Sequence, residues 1–468
     1  MRSRLLPTSF PLLSILLGGG LLCGGLLCGG LIGCAPGVMT EDPTTPPAGF
    51  RPLFDGTSLS GWWGLSTVDP RSIAALSPEA RERRRQESLA NIRAHWSVED
   101  GILVNDGEGL FLTTEEEFGD FELRLEYRTV AGADSGIYLR GIPQVQIWDT
   151  TEAGGKWELG ANLGSGGLWN NPPGTPGRDP LVHADRPFGE WNRVRVVMVG
   201  SRVTVELNGR TVVDHAILSN YFDRERAVPA RGPIQLQTHG GRIEWRRIWV
   251  REIEAEEANA RLLRCEDDPR SAWASLFDGT SLAGWRGATE GYEVRDGALS
   301  CRKGSGGTLH HSRMLEDFEL SLEFRLPPGG NNGLAIRYPG VGDPAYSGMC
   351  ELQVLDSTHP KYAGLDPRQH HGSAYGRAAA QRGYLRPAGE WNHQWVRVAG
   401  TRIQVELNGA PILDTDLSRI EDGLAPIEQY AGRDRRSGHF GLAGHNDAVE
   451  YRRIRVRDLP VRDGGGPE

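Results

Sequence analysis

The stretch GEWNRVRVVMVGSRVTVELNG, Gly189–Gly209, decides the fold. Val203, Val205 and Leu207 alternate with Arg202, Thr204 and Glu206, the period of a strand with one buried face. Gly200-Ser201 marks a turn before this run, and Asn208-Gly209 marks a tight hairpin turn after it. Phe121, Leu123, Leu125 and Tyr127 alternate in the same way with Glu122, Arg124 and Glu126. Strands of this length, with a turn every ten or so residues, predict two-sheet sandwiches. Composition agrees: 63 of 468 residues are glycine, roughly twice the usual share, and 13 are tryptophan. The length suits two domains of about 200 residues, each able to bury its own core.

The same stretch returns as GEWNHQWVRVAGTRIQVELNG, Gly389–Gly409. Other blocks recur in the same order. LFDGTSLSGW from Leu53 is answered by LFDGTSLAGW from Leu276, SVEDGIL from Ser97 by EVRDGAL from Glu293, and GDFELRLEYR from Gly119 by EDFELSLEFR from Glu316. VQIWD from Val145 is answered by LQVLD from Leu352, and IEWRRIWVRE from Ile243 by VEYRRIRVRD from Val449. The chain is therefore a duplication. We expect repeats at 50–253 and 273–459, a helix-prone acidic linker at 254–272 and a tail at 460–468. The first repeat carries an insertion at about 66–95, where Ser77 is an N-cap, Pro78 opens a helix, and the helix either covers a sheet edge or walls a cleft.

Arg2 and Arg4 precede an apolar stretch ending in Leu31-Ile32-Gly33-Cys34, the pattern of a secretory leader with a lipobox-like end. We expect residues 1–33 to be a signal peptide, Cys34 to carry lipid, and 34–49 to be a flexible tether. The expected location is the bacterial cell envelope, periplasmic or on the outer-membrane surface, with the membrane met only through that lipid. The net charge of −9 and the lack of a basic stripe argue against a nucleic-acid partner. No CxxC spacing marks a zinc site, and pairing of Cys301 with Cys350 stays open.

The ordered blocks, with GIYLRG from Gly136, GSGGLWNN from Gly164, GPIQLQTHGG from Gly232, HHGSAYG from His370 and GHFGLAGHN from Gly438, resemble the 3-keto-disaccharide hydrolase family twice over. The resemblance implies concanavalin A-like jelly rolls and an all-β fold class. It also implies action on glucosides oxidised at C3. A ketone at C3 acidifies the C2 hydrogen, so a base expels the C1 substituent by β-elimination, and water then adds to the enone. Such a site needs a base, a proton donor, and a cation or metal for the enolate oxygen; a divalent metal stays open as cofactor.

Glu351 and Gln353 share one strand face, because side chains alternate with period two. With Arg337 and His445 they form the expected catalytic cluster of the second repeat, where Glu351, Arg337 and His445 act and Gln353, Asp356, His371 and Tyr375 bind sugar. In the first repeat Arg140, Gln146, Asp149, Trp169 and His239 take the matching binding positions. There Gln144 replaces Glu351, which predicts an impaired first repeat and favours a lectin-like binding role for it. Trp191 and Trp391 read as anchors, and Asp55 and Asp278 as turn-fixing residues.

Overall fold

The computed structural model describes residues 45–266 and 273–460; the leader and Cys34 lie outside them. The fold is all-β: four antiparallel sheets make two jelly-roll sandwiches of one topology. In the first, the five-stranded sheet runs in the order Trp62–Leu65, Phe111–Thr114, Gln235–Leu236, Asp134–Leu139, Ile142–Trp148. The eight-stranded sheet centres on Phe121–Thr129, flanked by Asn192–Val199 and Ile243–Glu252. The second sandwich repeats this plan, with Gly438–His445, Asn331–Tyr338 and Cys350–Leu355 adjacent in its five-stranded sheet.

The predicted alternation holds in the cores. Phe121, Leu123, Leu125 and Tyr127 meet Val145, Ile147 and Ile137 of the facing sheet in one cluster. Asn208 and Gly209 both take positive φ, 53° and 79°, as a two-residue hairpin turn demands. Asp55 accepts the Thr57 and Ser58 amide hydrogens, which lowers its pKa to about 2. Asp278 does the same for Thr280 and Ser281.

The polar face of Phe121–Thr129 departs from expectation, since Glu122 and Glu126 are also buried. Arg124, Arg195 and Arg251 surround Glu122, while Arg246 and Arg247 hold Glu126. The cause is the linker, which folds as the helix Ala255–Glu266. Ala258 and Leu262 pack on Val197, Val199 and Ile253 of the first sandwich, and Glu257 pairs with Arg251. Glu256 and Glu266 pair with Arg452 and Arg455 of the second. The helix thus lies between the outer faces of both eight-stranded sheets. Direct contacts add to it: the Arg202 guanidinium donates to both oxygens of the Glu406 carboxylate, and the Ser201 amide donates to the Gly409 carbonyl. Trp191 and Trp391 are anchors of a different kind from core residues, each lying under two guanidiniums.

The insertion forms Pro70–Ala74 and Pro78–His95, the second capped by the Ser77 hydroxyl on the Ala80 amide. It covers the sheet edge: the Gly64 amide donates to Ser88 Oγ, and Ile92 joins the core. It also sends Thr67 to the hydroxyl of Tyr138, 2.9 Å away. Among the described residues no helix is long and apolar enough to cross a membrane. Cys301 and Cys350 are buried free thiols.

Arg140 and Arg337 sit at positive φ, 55° and 47°, Arg140 in the turn between Asp134–Leu139 and Ile142–Trp148 and Arg337 at a break in strand register. The Arg337 guanidinium donates to the carbonyls of Glu316, Gly400 and Arg435 and to Asp317, and Arg140 donates to those of Gly119, Gly200 and Pro229 and to Asp120. These bonds tie one sheet to the turns of the other. A Cβ at Gly232 or Gly438 would overlap the arginine backbone, at 2.5 and 2.3 Å. We expect Arg337→Met to strand these carbonyls in an apolar surround and to cost about 3 kcal/mol or more. A urea midpoint equal to that of the unsubstituted chain would show otherwise.

Candidate active site

In the second sandwich, register fixes what lies over what. Gly333 pairs with Gln353 and Ala443, and Ala335 with Glu351 and Gly441. Leu352, Val354, Leu334 and Leu442 point into the core, so Gly333, Ala335, Gly441 and Ala443 floor the outer face. Across this floor Glu351 lies flat. A Cβ at Gly333 would stand 1.9 Å from Glu351 Oε1, so only glycine leaves room for that carboxylate. Its Oε1 is 3.5 Å from His445 Nε2. The Glu351 side chain is 6% exposed and that of His445 is 49% exposed, so the imidazole faces solvent and the carboxylate backs it. Burial raises the Glu351 carboxyl above its usual range, and the carboxylate in turn raises the His445 imidazole. The His445 amide donates to Asn332 Oδ1, which fixes its backbone. The Tyr375 amide donates to the Glu351 carbonyl, and Gln369 Nε2 donates to the Tyr375 hydroxyl. Gln353 Nε2 donates to Asn331 Oδ1 at 2.6 Å.

The first sandwich has the same positions filled otherwise. Gln144 Nε2 donates to Gln146 Oε1, and Gln146 Nε2 donates to Asp134 Oδ1. Asp134 occupies the place of Asn331, and its Oδ2 meets His239 Nδ1 at 2.6 Å and the Lys156 ammonium. Burial, then the nearby ammonium, lowers the His239 pKa; burial lowers that of Lys156. These groups line a cavity of about 280 Å³ with Tyr138, Tyr221, Trp148 and Trp169 as walls. Trp169 meets Trp148 edge to face, and its indole N–H donates to the Leu159 carbonyl.

A family model described as a 3-keto-alpha-glucoside-1,2-lyase-like domain matches residues 49–251 and again 272–457. The chain belongs to this family. Each sandwich is thus one copy of the lyase-like domain. A curated relative, the 3-keto-disaccharide hydrolase of Bacteroides thetaiotaomicron, is 26% identical over 251 residues, covering 45% of this chain and 86% of its own. Among solved structures, one titled a putative glycosyl hydrolase of Parabacteroides distasonis is 28% identical, covers 40% of this chain and all of its own, and has a TM-score of 0.37. The carbohydrate binding module CBM66 of Bacillus subtilis is 14% identical over 40% of this chain and 96% of its own, with a TM-score of 0.27. At the level of the family, the function is glycoside hydrolase-like.

Within these two lyase-like domains the expected residues divide. Glu351, Gln353 and His445 share the outer face with the Tyr375 backbone held against that of Glu351, and Gln146, Trp169 and His239 come together. Arg337 does not join Glu351 and His445, and Arg140 does not join the first site. Both are buried with their guanidiniums taken by backbone carbonyls, because positive φ turns them from the outer face, Arg140 at a strand end and Arg337 at a strand break. Asp356 accepts from the Gly329 and Thr358 amides, and Asp149 from those of Gly132 and Thr151, so both hold loops rather than sugar. His371 lies in the core, stacked on Phe324 at 4.9 Å, and burial depresses its pKa to about 3.

Asp134 and Lys156 escaped the sequence reading. The one trace of Asp134 is that it stands two residues before Gly136, as Asn331 stands before Gly333, and Lys156 sits in a loop without a repeat signal. Among the described residues no group of three or more His, Cys, Asp and Glu is arranged to hold a metal. Glu351 with His445 offers two donors. If Glu351 is what raises His445, Glu351→Gln returns the imidazole to its ordinary pKa of about 6.5 or lower. Titration by NMR reads this directly, and an unchanged His445 value would contradict the pairing.

Proposed function

We propose that the second sandwich cleaves 3-keto-glucosides, including 3-keto-disaccharides, by elimination and hydration. The observation that carries this reading is a solvent-facing imidazole backed by a buried carboxylate over a floor of glycine and alanine. That arrangement leaves space for a sugar ring above a base held in one orientation. His445 takes the C2 proton. The electron pair of the C2–H bond passes through the C3 enolate into a C1=C2 double bond as the C1–O bond breaks. The leaving pair goes to the aglycone oxygen, which takes the Tyr375 phenol proton. Water then adds its hydroxyl to C1, the proton on His445 returns to C2, and the remaining water proton restores the phenol. Net hydrolysis results. Glu351 stabilises the imidazolium formed in the first step, and the Gln353 and Asn331 amides face sugar hydroxyls.

No pair of carboxylates is needed to protonate and displace, as an ordinary glycosidase requires. The ketone supplies the activation instead. The leader's lipobox-like end supports an envelope location for this activity, with Cys34 as the lipid-bearing residue.

The unsubstituted chain is expected to release aglycone from a 3-keto-disaccharide and not from its non-oxidised parent; release from both, or from neither, would sink the proposal. His445→Ala should lower kcat/KM of the second sandwich about 10²–10⁴-fold. The base must be unprotonated, and Glu351 favours its protonated form, so kcat/KM should rise with pH through an apparent pKa above about 6.5. A profile that falls over that limb contradicts a histidine base. For the location, Cys34→Ser should move the protein from the membrane fraction to the soluble fraction of cells making the full chain, and equal membrane recovery would count against the anchor.

A further inference from the structure

The two sandwiches exchange a carboxylate for a carboxamide at two positions on the outer face of neighbouring strands. In the second, the carboxylate is Glu351 on Cys350–Leu355 and the amide is Asn331 on the neighbouring strand. In the first, the amide is Gln144 and the carboxylate is Asp134. In both, the histidine before the last strand meets whichever position is acidic: His445 meets Glu351 and His239 meets Asp134. One substitution alone would break the pair. Both together preserve it.

A second exchange accompanies the first. The loop that carries Tyr375 in the second sandwich has Gly166, Leu168 and Trp169 in the first, with no hydroxyl donor of that kind. There the Lys156 ammonium reaches Asp134 from the loop after Ile142–Trp148. The lysine of the corresponding loop in the second sandwich, Lys361, is instead exposed and lies 4.7 Å over the Tyr362 ring. Base support and proton donor have therefore both been replaced in the first sandwich by groups of like chemistry from other positions.

We propose that the first sandwich is a second acid–base site for 3-keto-glucosides, with His239 as base, Asp134 as its positioning residue and Lys156 as proton donor to the leaving oxygen. This rests on the reading given above for the second sandwich and assigns the first an activity of its own. His239 Nδ1 faces Asp134, and its Nε2 has no partner among the described residues and is free to take the C2 proton. The pair from the C1–O bond leaves on the aglycone oxygen, which takes a proton from the Lys156 ammonium. Water delivers hydroxyl to C1, the His239 proton returns to C2, and the second water proton restores the ammonium. Burial of Lys156 makes it a stronger acid than a surface lysine, which suits a sugar leaving group that cannot depart unprotonated. Trp148 and Trp169 offer aromatic faces on which the ring can stack.

The test uses the full chain with a 3-keto-disaccharide and a p-nitrophenyl 3-keto-glucoside. His445→Ala silences the second sandwich, and the remaining turnover is assigned by adding His239→Gln or Lys156→Met, both in loops outside the core. His239→Gln on that background should lower turnover of both substrates about 100-fold or more. Lys156→Met should lower disaccharide cleavage by a similar factor and p-nitrophenol release far less, because p-nitrophenolate leaves without a proton. Residual turnover that neither substitution changes would overturn the proposal, as would a His445→Ala chain that binds the sugar without cleaving it. If His445→Ala costs nothing and His239→Gln abolishes turnover, this proposal stands and the one for the second sandwich fails. No turnover by the unsubstituted chain overturns both.

Discussion

A guanidinium buried at the end of each sandwich is the constraint on which the remaining geometry depends. Arg337 collects the carbonyls of Glu316, Gly400 and Arg435, which belong to turns of the opposite sheet and its connections. Carbonyls left without donors in such a place cost more than the bonds return, so the arrangement is close to all or none. To reach them the backbone kinks to positive φ and the strand register breaks between Ala335 and Tyr338. Upstream of that break the strand is regular, and the regular part carries Ala335 and Gly333 under Glu351. The arginine therefore acts on the site through register, at a distance, without touching it.

On that scaffold a single electrostatic relation recurs. A carboxylate shielded from solvent holds an imidazole that faces it, and the imidazole gains basicity or orientation from the contact. The two sandwiches differ in how that relation is tuned. His445 meets Glu351, with Asp343 and Asp447 also near, and is pushed up. His239 is pushed down by burial and then by the ammonium with which it shares its carboxylate. The first site has indoles and phenols around it, and Thr67 of the insertion closes against Tyr138. The helical insertion thus covers an edge strand and contributes to a wall.

Much of this was legible in the sequence because it follows from period two. The outward faces of Cys350–Leu355 and Ile142–Trp148, with Glu351, Gln353 and Gln146, could be read from alternation alone, as could the Asn208-Gly209 turn. Four kinds of residue resisted. Arg337 and Arg140 stand at outward positions by count, and only the kink turns them away. His371 follows another histidine in a glycine-rich loop, and nothing in the letters says that it stacks on Phe324. Asp134 and Lys156 meet across a strand and a loop that share no spacing rule. Glu122 and Glu126 alternate as solvent-facing residues should, yet seven arginines pair with them, Arg261 from the linker helix among them.

The sequence by itself determined that the chain is one all-β unit written twice, where its strands and turns lie, and which strand face carries amides and acids. Those properties are local, set by side-chain alternation and by glycine at turns. Which acid serves which histidine was decided only by tertiary structure. That choice depends on register between strands far apart in the chain and on a loop lysine brought in by folding, so Gln144, read alone as a loss, becomes half of an exchange once Asp134 is seen beside His239.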